Sequence, residues 1–103
     1  MIERPQQMFF SVIRHDKPNC IGLRQSERPR HLVYLEAVMS CIASGGALLD
    51  ENGQQDGSVL IIDVADRAAA EEFAARDPYV AAGLFASTYI GAFRPVFLDG
   101  RRI

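Results

Sequence analysis

The chain has 103 residues, a mass of 11.4 kDa, 49% apolar residues and a net charge of −2. That length builds one domain around one core, residues 1–103, and this apolar share excludes a disordered chain. Eleven basic against 13 acidic residues exclude a binder held by phosphate neutralisation, and two cysteines are too few for a disulfide scaffold.

Residues 8–14 (MFFSVIR) predict a strand rich in aromatic and β-branched side chains. Met8, Phe10 and Val12 share one face, and Phe9, Ser11 and Ile13 the other, so both faces need cover. Residues 16–27 (DKPNCIGLRQSE) are polar, with Pro18 and Gly22, and read as a long loop of the kind that carries function. Residues 29–44 predict a helix that starts at Pro29, where a missing N–H costs nothing. Its buried stripe is Leu32, Leu35, Val38, Met39 and Ile42, with Cys41 as a buried free thiol and Gly45-Gly46 as the stop.

A short strand follows at 47–50, then a polar turn at 51–57 containing Asn52-Gly53. Residues 58–64 (SVLIIDV) predict a second strand that is apolar on both faces. Asp66 is the expected N-cap of a helix at 67–76. Asp77-Pro78 interrupts that helix, because a residue before proline is pushed out of the α region. About one more helical turn follows at 78–83, and then a last strand at 85–97, broken near Gly91 and at Pro95. The charged tail at 99–103 reads as loose. No apolar run reaches the roughly 20 residues that span a bilayer. The start, MIERPQQMFF, carries Glu3 and Arg4 and lacks the pattern of a signal peptide. A soluble protein in the reducing cytoplasm is expected.

The order β-α-β-β-α-β predicts an α+β, ferredoxin-like fold: a four-stranded antiparallel sheet with two helices on one face. Strands apolar on both sides would leave a sticky open face, which a homodimer joined sheet to sheet, or a ligand cavity between two sheets, would cover. An RNA-binding sheet needs aromatic and basic residues on its central strands, and residues 58–64 contain none.

His31 is the first candidate for chemistry. In the expected helix it lies near the N-terminus, at the edge of the buried stripe. It is either a packed histidine with a satisfied hydrogen bond or a general acid or base, since an unperturbed imidazole titrates near pH ~6.5. Asp77 is either a helix cap or, with both helices on one side of the sheet, a carboxylate that orients His31. Arg28 is either solvated or a fork for a substrate carboxylate. Tyr79 and Tyr89 either pack or line a pocket. His15 reads as a loop residue. No spacing of His15, His31, Cys20 and Cys41 supports a metal site, and Gly45-Gly46 is no phosphate loop.

The segments RPRHLVYLE (28–36), SGGALLDENG (44–53), DGSVLIIDV (56–64) and DPYVAAGLF (77–85) resemble the YciI-like, or YCII-related, family. The resemblance implies a dimeric α+β barrel with His31 and Asp77 as a paired histidine and aspartate facing a pocket. Arg28 and Tyr79 belong to the same motif segments, as substrate-binding residues. Where the family often has Gly-Pro-Leu after its first helix, this chain has Gly46-Ala47-Leu48. Two functions follow as expectations. One is a cofactor-independent lyase or isomerase working through a His31–Asp77 acid/base pair on a small anionic or aromatic metabolite. The alternative is a non-catalytic dimer that binds a small ligand or assists a partner enzyme.

Overall fold

Alternating β-branched and aromatic residues make two central strands, and each is paired along its length. The computed structural model describes residues 8–103, and the segment with Glu3 and Arg4 lies outside them. The elements are β1 (Met8–Asp16), α1 (Ile21–Ala37), β2 (Ile42–Leu49), β3 (Gln55–Val64), α2 (Arg67–Ala75), α3 (Pro78–Ala81), β4 (Phe85–Phe93), β5 (Phe97–Leu98) and β6 (Arg101–Arg102). A short 3-10 turn, Met39–Cys41, joins α1 to β2.

The first four long strands form one antiparallel sheet in the order β2-β3-β1-β4. This is the ferredoxin-like α+β arrangement. Phe10 lies opposite Ile62, Val12 opposite Leu60 and Arg14 opposite Ser58. Residues paired in this way share a face of the sheet. Phe10, Val12 and Ile62 form the core with Ala70, Phe73 and Ala74 of α2, and Leu35 of α1 and Val38 just after it pack against it. Burying a side chain such as Phe10 or Ile62 contributes about 1.5–3 kcal/mol each. Gly57 stands where any Cβ would strike the Arg14 carbonyl, so the close approach of β1 and β3 requires glycine.

The opposite face is the open one. Phe9, Ile13, Val59 and Ile61 are half-buried there, while Tyr89 and Phe93 are 58% and 40% exposed.

Helix α1 begins at Ile21, inside the expected loop, and takes in Pro29. Its inward stripe runs Arg24, His31 and Leu35 and continues in Val38 just past its end, with exposed Arg28 at the edge. The first half of that stripe is charged, because it faces a buried carboxylate, so an apolar pattern does not reveal it. His31 therefore lies past the middle of the helix rather than near its N-terminus, beyond the reach of the positive dipole end. Leu32 and Met39, expected in the buried stripe, are 36% and 60% exposed. Cys41 is half-buried in the 3-10 turn, not in a helix.

Gly45 and Gly46 do not stop a helix; they lie inside β2. The Leu60 side chain occupies the space a Cβ on Gly45 would need. β4 runs through Gly91 and ends at Phe93. Residues 97–102 fold as a hairpin, with Phe97 opposite Arg102 and Leu98 opposite Arg101.

Candidate functional site

Asp66 caps α2 by accepting the Ala69 N–H at 2.8 Å. Asp77 does the same for the short α3: its Oδ1 accepts the Tyr79 N–H at 3.0 Å. Extended backbone at Asp77, imposed by Pro78, stops α2 and turns the carboxylate back toward α1. There His31 Nδ1 lies 3.0 Å from both Asp77 oxygens. Asp77 is 6% exposed, and the His31 side chain 17%. Such a carboxylate accepts Nδ1–H and selects the tautomer whose Nε2 carries the lone pair.

Arg14 completes the first cluster. Its Nη1 donates to Asp77 Oδ2 at 3.3 Å and its Nη2 to the Ala74 carbonyl at 2.6 Å. Its guanidinium carbon lies 4.5 Å from the centre of the Phe85 ring. Burial pushes the Arg14 pKa below its usual range, with the Asp77 charge acting in the opposite direction.

A second buried ion pair supports the first. Arg24 grips Asp16 with two parallel bonds, Nε to Oδ2 at 2.6 Å and Nη2 to Oδ1 at 2.8 Å. Burial works against the Arg24 cation, but the bonds and charge of Asp16 outweigh it and raise the pKa. Tyr79 joins the two clusters. Its ring stacks on His31 with centroids 4.2 Å apart, and its hydroxyl donates to the Arg24 carbonyl at 3.2 Å. The Arg24 guanidinium lies 4.8 Å from the same ring. Burial is the main cause of a raised Tyr79 pKa, so the phenol stays protonated.

These groups border a cleft of about 490 Å³, within the range of small-molecule sites. Leu32, Leu35, Ile42 and Leu60 supply its apolar wall, and Gln55 and Ser58 its polar floor. Arg28 lies at its rim, exposed, with no hydrogen bond or ion pair among the described residues. A larger hollow of about 840 Å³ lies between Met8, Phe9 and residues 92–96, where the described residues include no histidine or carboxylate. The smaller cleft is the one bordered by a histidine and a buried carboxylate, His31 and Asp77.

The structure brings His31, Asp77 and Tyr79 into direct contact and puts Arg28 at the same cleft. Tyr89 and His15 lie on the open face of the sheet instead. Sequence reasoning missed Arg14, Asp16 and Arg24. For Arg14 and Asp16 a signal existed: both continue the Phe10–Val12 alternation and so face the helices. No three histidine, cysteine or carboxylate residues among those described are grouped to hold a metal ion.

A ferredoxin-like sheet with a histidine–carboxylate pair beneath its helices defines a small α+β protein of the dimeric α+β barrel type. The chain belongs to the YCII-related domain family, whose model matches residues 8–94. It is 32% identical over 98 residues to an uncharacterised protein of Haemophilus influenzae, covering 87% of this chain and all of that one. It is 30% identical, with the same coverage, to Protein YciI of Escherichia coli O6:H1. Among solved structures it is similar to 5-chloro-2-hydroxyhydroquinone dehydrochlorinase (TftG) of Burkholderia phenoliruptrix AC1100, solved in complex with 2,5-dihydroxybenzoquinone. That similarity has a TM-score of 0.78 at 30% identity and covers 84% of this chain and 94% of the other. No helix among the described residues is long and apolar enough to cross a membrane.

Proposed function

We propose that this protein is a cofactor-independent lyase or isomerase acting on a small aromatic or quinoid metabolite that carries ionisable hydroxyl or acid groups. The observation that carries this reading is the approach of His31 Nδ1 to both oxygens of the buried Asp77, 3.0 Å each, at the wall of the cleft. His31 Nε2 takes an acidic O–H or C–H proton from the substrate. In a lyase the freed electron pair expels a leaving group as its anion from the ring; in an isomerase the imidazolium returns the proton at another carbon. Asp77 orients the ring and stabilises the transient imidazolium. Arg28 binds an anionic substituent at the rim, and Tyr79 supports the imidazole plane. A positioned base supplies about 10²–10⁴-fold, and binding and electrostatics supply the rest. The dehydrochlorinase and quinone named for the structural relative support this class of chemistry.

The reading includes a homodimer joined through the open sheet face, whose half-buried Ile13, Val59 and Ile61 need cover. It also includes a cytoplasmic location, where the free thiols Cys20 and Cys41 suit a reducing compartment.

The test is a thermal-shift panel of substituted phenols, hydroxyquinones and small acids, followed by product analysis of each binder. Turnover that His31→Ala and Asp77→Asn abolish is expected. Turnover that survives both substitutions overturns the mechanism. Binding without conversion across the panel would favour a non-catalytic ligand-binding dimer.

A further inference from the structure

Arg14 contacts the aspartate of the pair but not the histidine. It is 4% exposed, anchored on the Ala74 carbonyl at 2.6 Å, and shares Asp77 Oδ2 with His31. A buried carboxylate facing an imidazole alone would favour the imidazolium, which has no lone pair to act as a base. Here the carboxylate already has a permanent cation as partner.

The charges around His31 close without its proton. Arg14 comes from β1; Arg24, Arg28 and Glu36 come from α1; Asp77 comes from the start of α3. Asp16, at the end of β1, is held by Arg24. The buried ones, Arg14 and Arg24 against Asp16 and Asp77, balance two against two, while Arg28 and Glu36 are exposed to water. Tyr34 and Tyr79 are neutral, since burial raises both phenols. The residues that reach the cleft from β2 and β3 are uncharged: Ile42, Gly45, Gly46, Gln55, Ser58 and Leu60. Protonating His31 adds an unbalanced positive charge to a largely buried cluster.

Building on the paired reading of His31 and Asp77, we propose that Arg14 is the positioning residue of that pair. Held by the Ala74 carbonyl and the Phe85 ring, it keeps the Asp77 carboxylate on His31 Nδ1 and takes part of its charge. His31 Nε2 is thereby left as an unprotonated base at the cleft. A lysine would keep the charge; an uncharged residue would hand the whole carboxylate to the imidazole.

The test needs no substrate. In a His15→Gln background His31 is the one remaining histidine, and its ring nitrogens are followed by NMR from pH 5 to 9. Arg14→Gln removes the charge but keeps a side-chain N–H donor, and Arg14→Lys keeps both a charge and a donor. Arg14→Gln is expected to raise the His31 midpoint by about half a pH unit or more, and Arg14→Lys to leave it within about 0.2. In the Arg14-containing protein, the Arg14 guanidinium signals are expected to shift at the His31 midpoint, which settles the matter if a variant does not fold. An unmoved midpoint in Arg14→Gln, equal shifts in both variants, or guanidinium signals that ignore His31 would each overturn the proposal. Asp77→Asn serves as the control. If it too leaves His31 unmoved, the pair itself fails; if it alone moves His31, only the role of Arg14 fails.

Discussion

Asp77 Oδ1 caps helix α3 and receives His31 Nδ1 at once, with both contacts at 3.0 Å. One carboxylate therefore starts a helix and holds the candidate base. The two roles separate on substitution. Asn caps a helix about as well as Asp, whereas Ala does not.

Asp77→Asn is expected to keep α3 but leave buried Arg14 without its counter-charge, a loss of about 3 kcal/mol. Asp77→Ala adds about 1 kcal/mol for the lost cap. Urea denaturation measures the two losses; equal stability of the Asn and Ala variants would show that the cap contributes nothing.

The Asp16–Arg24 pair is buried on both sides, with side chains 4% and 6% exposed. Removing one partner strands the other charge, so Asp16→Ala should cost about 3–5 kcal/mol. A double substitution, Asp16→Leu with Arg24→Leu, should recover much of that stability. It should also loosen Tyr79, which lies against Arg24, and lower activity. Chemical denaturation of the single and double variants decides it: a double variant no more stable than the single would contradict the desolvation argument.

Tyr34 and Tyr79 predict a specific alkaline weakness. Burial is the first cause of both raised pKa values, and the Asp77 charge also contributes to each. The folded state therefore holds these protons more tightly than the unfolded chain does. Their stabilising contribution is full below the unfolded tyrosine pKa, near 10, and is lost as pH rises from there through the folded values. Stability should fall steeply above pH ~10, and less so in Tyr34→Phe. Absorbance of phenolate against pH, alongside unfolding, checks this; phenolate from all three tyrosines appearing together at pH ~10 in the folded protein would refute it.

The open face predicts the assembly. Ile61 lies there, opposite Ser11 on β1 and Ser44 on β2. Ile61→Glu should convert a dimer to a monomer in analytical ultracentrifugation and leave the helix-side core intact. A native protein that sediments as a monomer, or a variant that stays dimeric, would remove the sheet-to-sheet dimer.

Local chemistry made several elements legible. The apolar run at 58–64 demanded a strand, and Asp66 and Asp77 demanded caps, because these signals depend only on near neighbours. The order of elements then implied the sheet order. Helix α1 was legible only in its second half, since Arg24 and His31, with Arg28 beside them, look like a solvated surface until Asp16 and Asp77 are seen across from them. Gly45-Gly46 read as a stop because glycine pairs end helices, whereas here Leu60 needs the room.

By itself the sequence determined the fold class, the break at Asp77-Pro78 and, through the family segments, that His31 and Asp77 belong together. Only the tertiary structure decided that Arg14 shares their carboxylate and that Asp16 clamps Arg24. Those pairings join residues far apart in the chain, and burial gives them their strength. A charged residue is buried only where a distant partner meets it, and that meeting is a property of the folded sheet and helices rather than of any local pattern.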